Sequence, residues 1–242
     1  MKTFKTRGLV LREYEAKESD KRLLLLCKEH GRLFVYARGA RKPRSKLLAA
    51  AQLFTYSDMV IAQGTGFYSL AQAQVVEGFY GLREDYDALC VAHLIAEVCE
   101  KTIWENERYD DLLRLALAAL THLCKPHNLP PGLVCAVFMH RFFACHGVAP
   151  PLDICCRCGS PPVIDGPALF CPEGLLCDSC RAAHTLPLSA SAVQALRHIQ
   201  SSALAAAFRF TLPPPALAEV RRAAQLVWRS HFDWELVAER FC

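Results

Sequence analysis

Residues 21–46 read KRLLLLCKEHGRLFVYARGARKPRSK. Two apolar runs, Lys21–Cys27 and Arg32–Ala37, flank a break at His30-Gly31. In the second run Leu33, Val35 and Ala37 alternate with Phe34 and Tyr36, the period of a strand with one buried face. Working outward, Thr6–Arg12 reads as a strand before this pair, and Leu53–Ala62 and Phe67–Val76 as two after it. The last two are separated by Gln63-Gly64-Thr65-Gly66, whose glycines suit a tight connection. Five strands within the first eighty residues, with helix signal only over Ser45–Gln52, predict a small Greek-key barrel of the OB type.

Beyond Gly78 the period changes from two to 3.6. Val91, Leu94, Ile95 and Val98 form one apolar stripe, and Tyr109, Leu112, Leu113, Ala116, Leu117 and Leu120 form the next. Pro131 is placed for the first turn of a third helix carrying Val134, Val137, Phe138, Arg141 and Phe142, which Gly147 ends. Ser189 or Ser191 caps a fourth, and Pro213-Pro214-Pro215 precedes a last helix with Leu217, Val220, Ala224, Val227 and Trp228. The expected fold class is α+β: a five-stranded OB-type barrel over 1–80, then a helical domain over 81–242 interrupted at 152–184.

That interruption holds two Cys-x-x-Cys pairs, Cys155/Cys158 and Cys177/Cys180, with eighteen residues between them. A two-residue spacing lets both thiolates of a tight turn reach one ion, so the pairs predict a tetrahedral Zn2+ site, with an iron–sulfur cluster or a redox dithiol as the alternatives. Gly159 and Gly174 supply turn freedom. Four thiolates leave no open coordination position, which makes the zinc structural and not hydrolytic. Cys156 lies too close to Cys158 for a knuckle pair and Cys171 has no partner at knuckle spacing, so both read as spectators, with His184 a further neighbour. The cluster is expected to staple a loop.

The formal charge of +4 conceals an asymmetry: residues 1–80 carry 14 Lys/Arg against 7 Asp/Glu, and residues 81–242 carry 14 against 17. Five cations, Arg38, Arg41, Lys42, Arg44 and Lys46, fall within nine residues without an acid. Gly39 and Pro43 keep this stretch out of regular structure, so its charges project from a loop able to follow a phosphate backbone. These five are the candidate DNA-binding residues, with Phe34, Tyr36, Phe54, Tyr56, Phe67 and Tyr68 nearby. A solvated basic surface is the bland alternative.

No enzyme class finds its residues. None of the nine histidines is followed two positions later by Glu as a zinc deaminase requires, and phosphate-loop, dinucleotide and nucleophile-elbow motifs are missing. The charged start MKTFKTRGLVLREYEAKESD lacks a signal-peptide core, and no segment supplies the roughly twenty apolar residues of a membrane span. The thirteen cysteines are thus expected to be thiols of a reducing cytoplasm, with no membrane role. A zinc-thiolate redox-regulated chaperone or interaction scaffold is the rival function.

Taken in order, several short motifs resemble the RecO family of bacterial recombination-mediator and DNA-repair proteins. They are Gly8-Leu9-Val10-Leu11, His30-Gly31-Arg32, Ala37–Ser45, Gly147-Val148-Ala149-Pro150-Pro151-Leu152-Asp153 leading into Cys155-x-x-Cys158-Gly159, and Gly174-Leu175-Leu176-Cys177-x-x-Cys180. Cys156 and Cys171 are additions to that pattern. The resemblance implies an OB-fold that binds single- and double-stranded DNA without catalysis, and a zinc module inserted between helices. It also implies strand annealing and work with RecR and single-strand-binding protein to load RecA, in the cytoplasm at the nucleoid.

Overall fold

The computed structural model describes residues 2–125, 129–161, 167–182 and 185–238, so His184 lies outside the described residues. The chain falls into two compact units that divide between Cys124 and Lys125. In the first, five strands close into a barrel in the order β1-β2-β3-β5-β4. They are β1 (Lys2–Ala16), β2 (Asp20–Cys27), β3 (Gly31–Ala37), β4 (Tyr56–Gln63) and β5 (Tyr68–Glu77).

Closure depends on β1, whose fifteen residues serve two neighbours. Lys2–Leu9 pair with β4 and Gly8–Ala16 with β2, with a register shift between Val10 and Arg12 where the strand bends from one partner to the other. The last seam is a parallel ladder of two pairs, Val35↔Tyr68 and Tyr36↔Ser69. Val10, Leu23, Leu25, Leu33, Val35, Met59, Ile61 and Leu70 fill the interior.

β2 and β3 differ in pattern because their outer faces meet different surroundings. All of Leu23, Leu24, Leu25 and Leu26 are buried, since helix α1 (Tyr86–Thr102) packs on β1 and β2. Phe34 and Tyr36 of β3 have no such cover and stay exposed. α1 begins where the Asp85 carboxylate accepts the Ala88 N–H at 3.0 Å. α2 (Asp110–Leu123) completes the unit with Leu112, Leu113, Leu115, Ala116 and Leu120 buried.

Hydrogen bonds tie α1 and the segment that follows it to the barrel. Arg12 Nε donates to Glu100 of α1 at 2.8 Å, and the Arg32 N–H donates to the Trp104 carbonyl at 3.0 Å. The second explains Gly31: its φ is +60°, and a Cβ there would lie 2.2 Å from the Trp104 carbonyl oxygen. Ser45–Gln52 departs from the expected helix. It is a run of turns in which Leu48 N–H to Ser45, Ala51 N–H to Leu47 and Gln52 N–H to Ala49 mix three- and four-residue spans, and the mixture never settles into a continuous i→i−4 ladder.

The second unit packs α3 (Pro131–Cys145), α4 (Ala190–Ser201), the short α5 (Leu204–Ala207) and α6 (Pro214–His231) around an aromatic core. Phe142 of α3 meets Trp228 and Phe232 with ring centroids 5.8 and 5.7 Å away. Ser189 caps α4, and Arg141 of α3 donates to the carbonyls of Ile199, Gln200 and Ser202 at 2.9–3.1 Å, closing the other end of that helix. A three-stranded sheet of order β7-β6-β8 joins this core: β6 (Ala168–Cys171), β7 (Gly174–Leu176) and β8 (Leu186–Leu188). No described helix is long and apolar enough to cross a membrane.

His140 lies inside α3 and is 1% exposed; its Nε2–H donates to the Val220 carbonyl of α6 at 3.0 Å. Burial pushes its pKa down to about 4, below the 6.5 of a free imidazole. The unfolded chain therefore binds a proton that the folded unit rejects between those values. Stability from this site is full above about pH 6.5 and is lost as pH falls towards 4. His140→Leu should remove roughly 3 kcal/mol of the stability change between pH 7 and pH 4. Denaturant unfolding followed by tryptophan fluorescence checks this, and equal pH dependence in both proteins refutes it.

Candidate functional site

The metal-ligand cluster assembles from two turns on the small sheet. At the first, the Gly159 N–H donates to the Cys155 carbonyl at 2.9 Å; at the second, the Cys180 N–H donates to the Cys177 carbonyl at 3.0 Å. Cys177 follows β7 directly, and the Cys156 N–H donates to Leu175 of β7 at 2.8 Å, so the two turns are sewn side by side. The sulfurs of Cys155, Cys158, Cys177 and Cys180 all lie within 4.8 Å of one another. These four residues can hold a metal ion.

The electrostatics of the cluster fit a cation. Backbone N–H groups of Cys158 and Cys177 directed at the Cys155 sulfur bring its pKa down to about 6, favouring thiolate. The Cys180 thiol shares hydrogen bonds with Cys177 and Cys158 and is pushed up to about 12. One end of the cluster is thus prepared for negative charge while neighbouring sulfurs oppose further ionisation. A positive ion between them removes that opposition.

Helix α4 grips the base of the cluster. Arg197 donates to the Leu152 carbonyl at 2.8 Å, and Gln200 to the Pro150 carbonyl at 3.1 Å. Pro151 in turn accepts the Leu175 N–H at 3.2 Å. Gly174 makes this approach possible: its φ is +137°, and a Cβ would sit 2.7 Å from the Pro151 oxygen. Cys156 and Cys171 stand apart from the four ligands and face each other, sulfur to sulfur, at 3.6 Å. Their pairing is invisible in the sequence because the β6–β7 hairpin brings it about.

The basic loop lies in the first unit. Arg38, Arg41, Lys42, Arg44 and Lys46 are all exposed, while Ala40 between them is buried and pins the loop to the barrel. The pinning continues through the backbone. The Gly39 N–H donates to Asp20 Oδ1 at 2.7 Å, and the Arg41 N–H to the Ser19 carbonyl at 3.0 Å. The loop is thereby fixed beside the β1–β2 turn, which carries Lys17. Arg41 is the exception among the five, since it pairs with Glu15 at 3.1 Å. Among the described residues, Arg38, Lys42, Arg44 and Lys46 show no ion pair. Sequence reasoning passed over Lys17 because Glu15, Glu18 and Asp20 surround it in the chain.

A groove of about 720 Å3 opens over β1, β4 and β5, lined in part by Lys5, Arg7, Lys28, Gln72 and Gln74. Its charge is partly cancelled, because Arg7 Nε donates to Asp58 at 2.6 Å.

A closed five-stranded barrel bearing an exposed basic loop, together with a helical unit carrying a four-cysteine cluster able to hold a metal ion, defines an OB-type class of protein with a candidate metal centre. Two family models match, described as "Recombination protein O N terminal" over residues 1–79 and "Recombination protein O C terminal" over residues 83–237. Similar proteins named DNA repair protein RecO include one from Acetivibrio thermocellus, 32% identical over 235 residues, spanning 96% of this chain and 93% of that one. Another, from Anaeromyxobacter sp. (strain K), is 34% identical over 247 residues, spanning 100% and 96%. A third, from Bacillus pumilus, is 28% identical, spanning 98% and 92%. The chain belongs to the RecO family of DNA repair proteins. The two matched segments meet near residue 80, whereas the compact units meet after Cys124.

Replacing Cys177 and Cys180 together by Ser should lower bound metal and thermal stability in parallel, because the ligands hold the β7 turn against Cys155. Cys156→Ser and Cys171→Ser should leave metal stoichiometry unchanged. Elemental analysis beside thermal melts reads both outcomes; metal lost from the Cys156 or Cys171 variant would redraw the ligand set.

Proposed function

We propose that the chain is a non-enzymatic DNA-binding recombination mediator. It binds single- and double-stranded DNA through Arg38, Arg41, Lys42, Arg44 and Lys46, promotes annealing of complementary strands, and supports loading of RecA. The observation that carries this reading is the pinned loop whose cations, Arg41 excepted, have no ion pair among the described residues. Free cations held on a rigid barrel exchange condensed counterions for phosphate contacts, and they do so without reading sequence. Family membership supports the same role, as do relatives named for DNA repair.

Annealing follows from the same physics. Two strands repel through their phosphates, and a surface that neutralises those phosphates while leaving bases free lowers the cost of bringing them together. In this role the partners are RecR, single-strand-binding protein and, indirectly, RecA. The metal is Zn2+, one per chain. Zinc–sulfur bonds of about 2.3 Å at tetrahedral angles require sulfur separations of about 3.8 Å, and Cys158 and Cys177 stand 3.7 Å apart. Bound zinc supplies cross-linking charge, and the four cysteines retain it by closing every coordination position.

Salt titration tests the assignment. Changing Lys42, Arg44 and Lys46 together to Ala should weaken binding and flatten the slope of log affinity against log salt by about 0.7 per lost contact on single strands and about 0.9 on duplex. Binding with an unchanged slope would remove the loop from the interface.

A further inference from the structure

We propose that a nucleobase of single-stranded DNA inserts between Tyr36 and Phe67, in a concavity at the closing seam of the barrel, with Lys17 and Arg38 taking the flanking phosphates. This rests on the DNA-binding reading and adds to it a site that distinguishes single strands from duplex. The concavity has a volume of about 250 Å3 and is lined by Ala16, Lys17, Asp20, Tyr36, Arg38 and Phe67. It combines what a single-strand site needs, an aromatic surface for the base and cations for the backbone.

The exposed aromatics of this face are not equivalent. Phe34 and Tyr36 lie two residues apart on β3 and are 37% and 39% exposed. The guanidinium of Arg22 already covers Phe34, 4.2 Å from its ring centroid. Tyr14 across the sheet is held through its hydroxyl by Glu100 at 3.4 Å. Tyr36 and Phe67 remain, and neither packs against another aromatic ring among the described residues. Phe67 is 38% exposed yet firmly placed. Its carbonyl accepts the Gly64 N–H at 2.9 Å, and its ring lies so close over Gly64 that a Cβ there would come within 2.6 Å.

The seam fixes the spacing of the two walls. Tyr36 is paired with Ser69 in the short β3–β5 ladder, and Phe67 stands just ahead of Tyr68, which is paired with Val35. Tyr36 and Phe67 therefore flank the same join from opposite strands. Asp20 completes the lining, with Oδ1 accepting the Gly39 N–H at 2.7 Å. Its negative charge disfavours a bare phosphate inside the concavity and suits the N–H groups that every base carries. In duplex each base is stacked between its neighbours and held by its partner, so a paired base cannot enter without being extruded.

The test compares full-length protein with Tyr36→Ala, Phe67→Ala and Phe67→Leu, on an oligothymidylate and on a duplex of equal length. Both alanine variants should bind the single strand roughly five- to 150-fold more weakly, the equivalent of losing one stacked base. Their salt slopes should match the parent, and duplex affinity should be unchanged. Phe67→Leu keeps an apolar side chain over Gly64 without a stacking face, so it should fold as the parent and still show the single-strand loss. An oligonucleotide carrying one 2-aminopurine should change its emission on binding the parent and not the variants. Parent-like single-strand binding by Phe67→Leu and Tyr36→Ala, or equal losses on both DNA forms, overturns the base site alone. A parent protein that binds neither DNA overturns the DNA-binding reading together with it.

Discussion

A sheet that closes on itself must give every strand two partners, and in a five-stranded barrel that demand falls hardest on the strand bent between two neighbours. β1 meets it with fifteen residues, pairing through one half with β4 and through the other with β2. Without its register shift near Val10 and Arg12, one of those edges would be left with unpaired N–H and C=O groups. Closure also places the β1–β2 turn beside the loop after β3, where the amides of Gly39 and Arg41 find Asp20 and Ser19. The cationic surface therefore inherits its rigidity from the barrel.

The two units solve different problems by different means. The first has an apolar interior large enough to hold itself, and its polar ties, such as Arg12 to Glu100, serve to orient α1. The second has a helical core of Phe142, Trp228 and Phe232, but its small sheet is built from strands of three and four residues. Sheets so short do not persist on backbone pairing alone. The four cysteines brought together beside that sheet are placed to supply the missing cross-link if they hold a metal ion.

Much of this was legible in the chain because local patterns report local physics. The alternation in Arg32–Ala37, the doubled Cys-x-x-Cys and the apolar stripe of Val91, Leu94, Ile95 and Val98 appear in the structure as a strand, a cluster of four cysteines and a buried helix face respectively. Other features depended on tertiary partners. The unbroken leucines of β2 do not say which face meets the interior, and α1 is what buries the other one. Ser45–Gln52 has helical composition, yet its bonds mix two periods. Arg41 sits in the basic run like its neighbours, but Glu15 reaches it from another strand. Phe34 and Tyr36 share a face and a spacing, and only Arg22 tells them apart.

The bond from Arg32 to Trp104 has a bearing on how such chains are cut and recombined. The first family segment ends at residue 79, but the barrel's third strand takes a backbone acceptor from residue 104, and β1 takes a carboxylate from residue 100. A fragment stopped at the family border would leave the Arg32 amide and the Arg12 guanidinium without these partners and strip the apolar outer face of β2. The piece suited to transplantation between relatives runs through Cys124, with both helices attached.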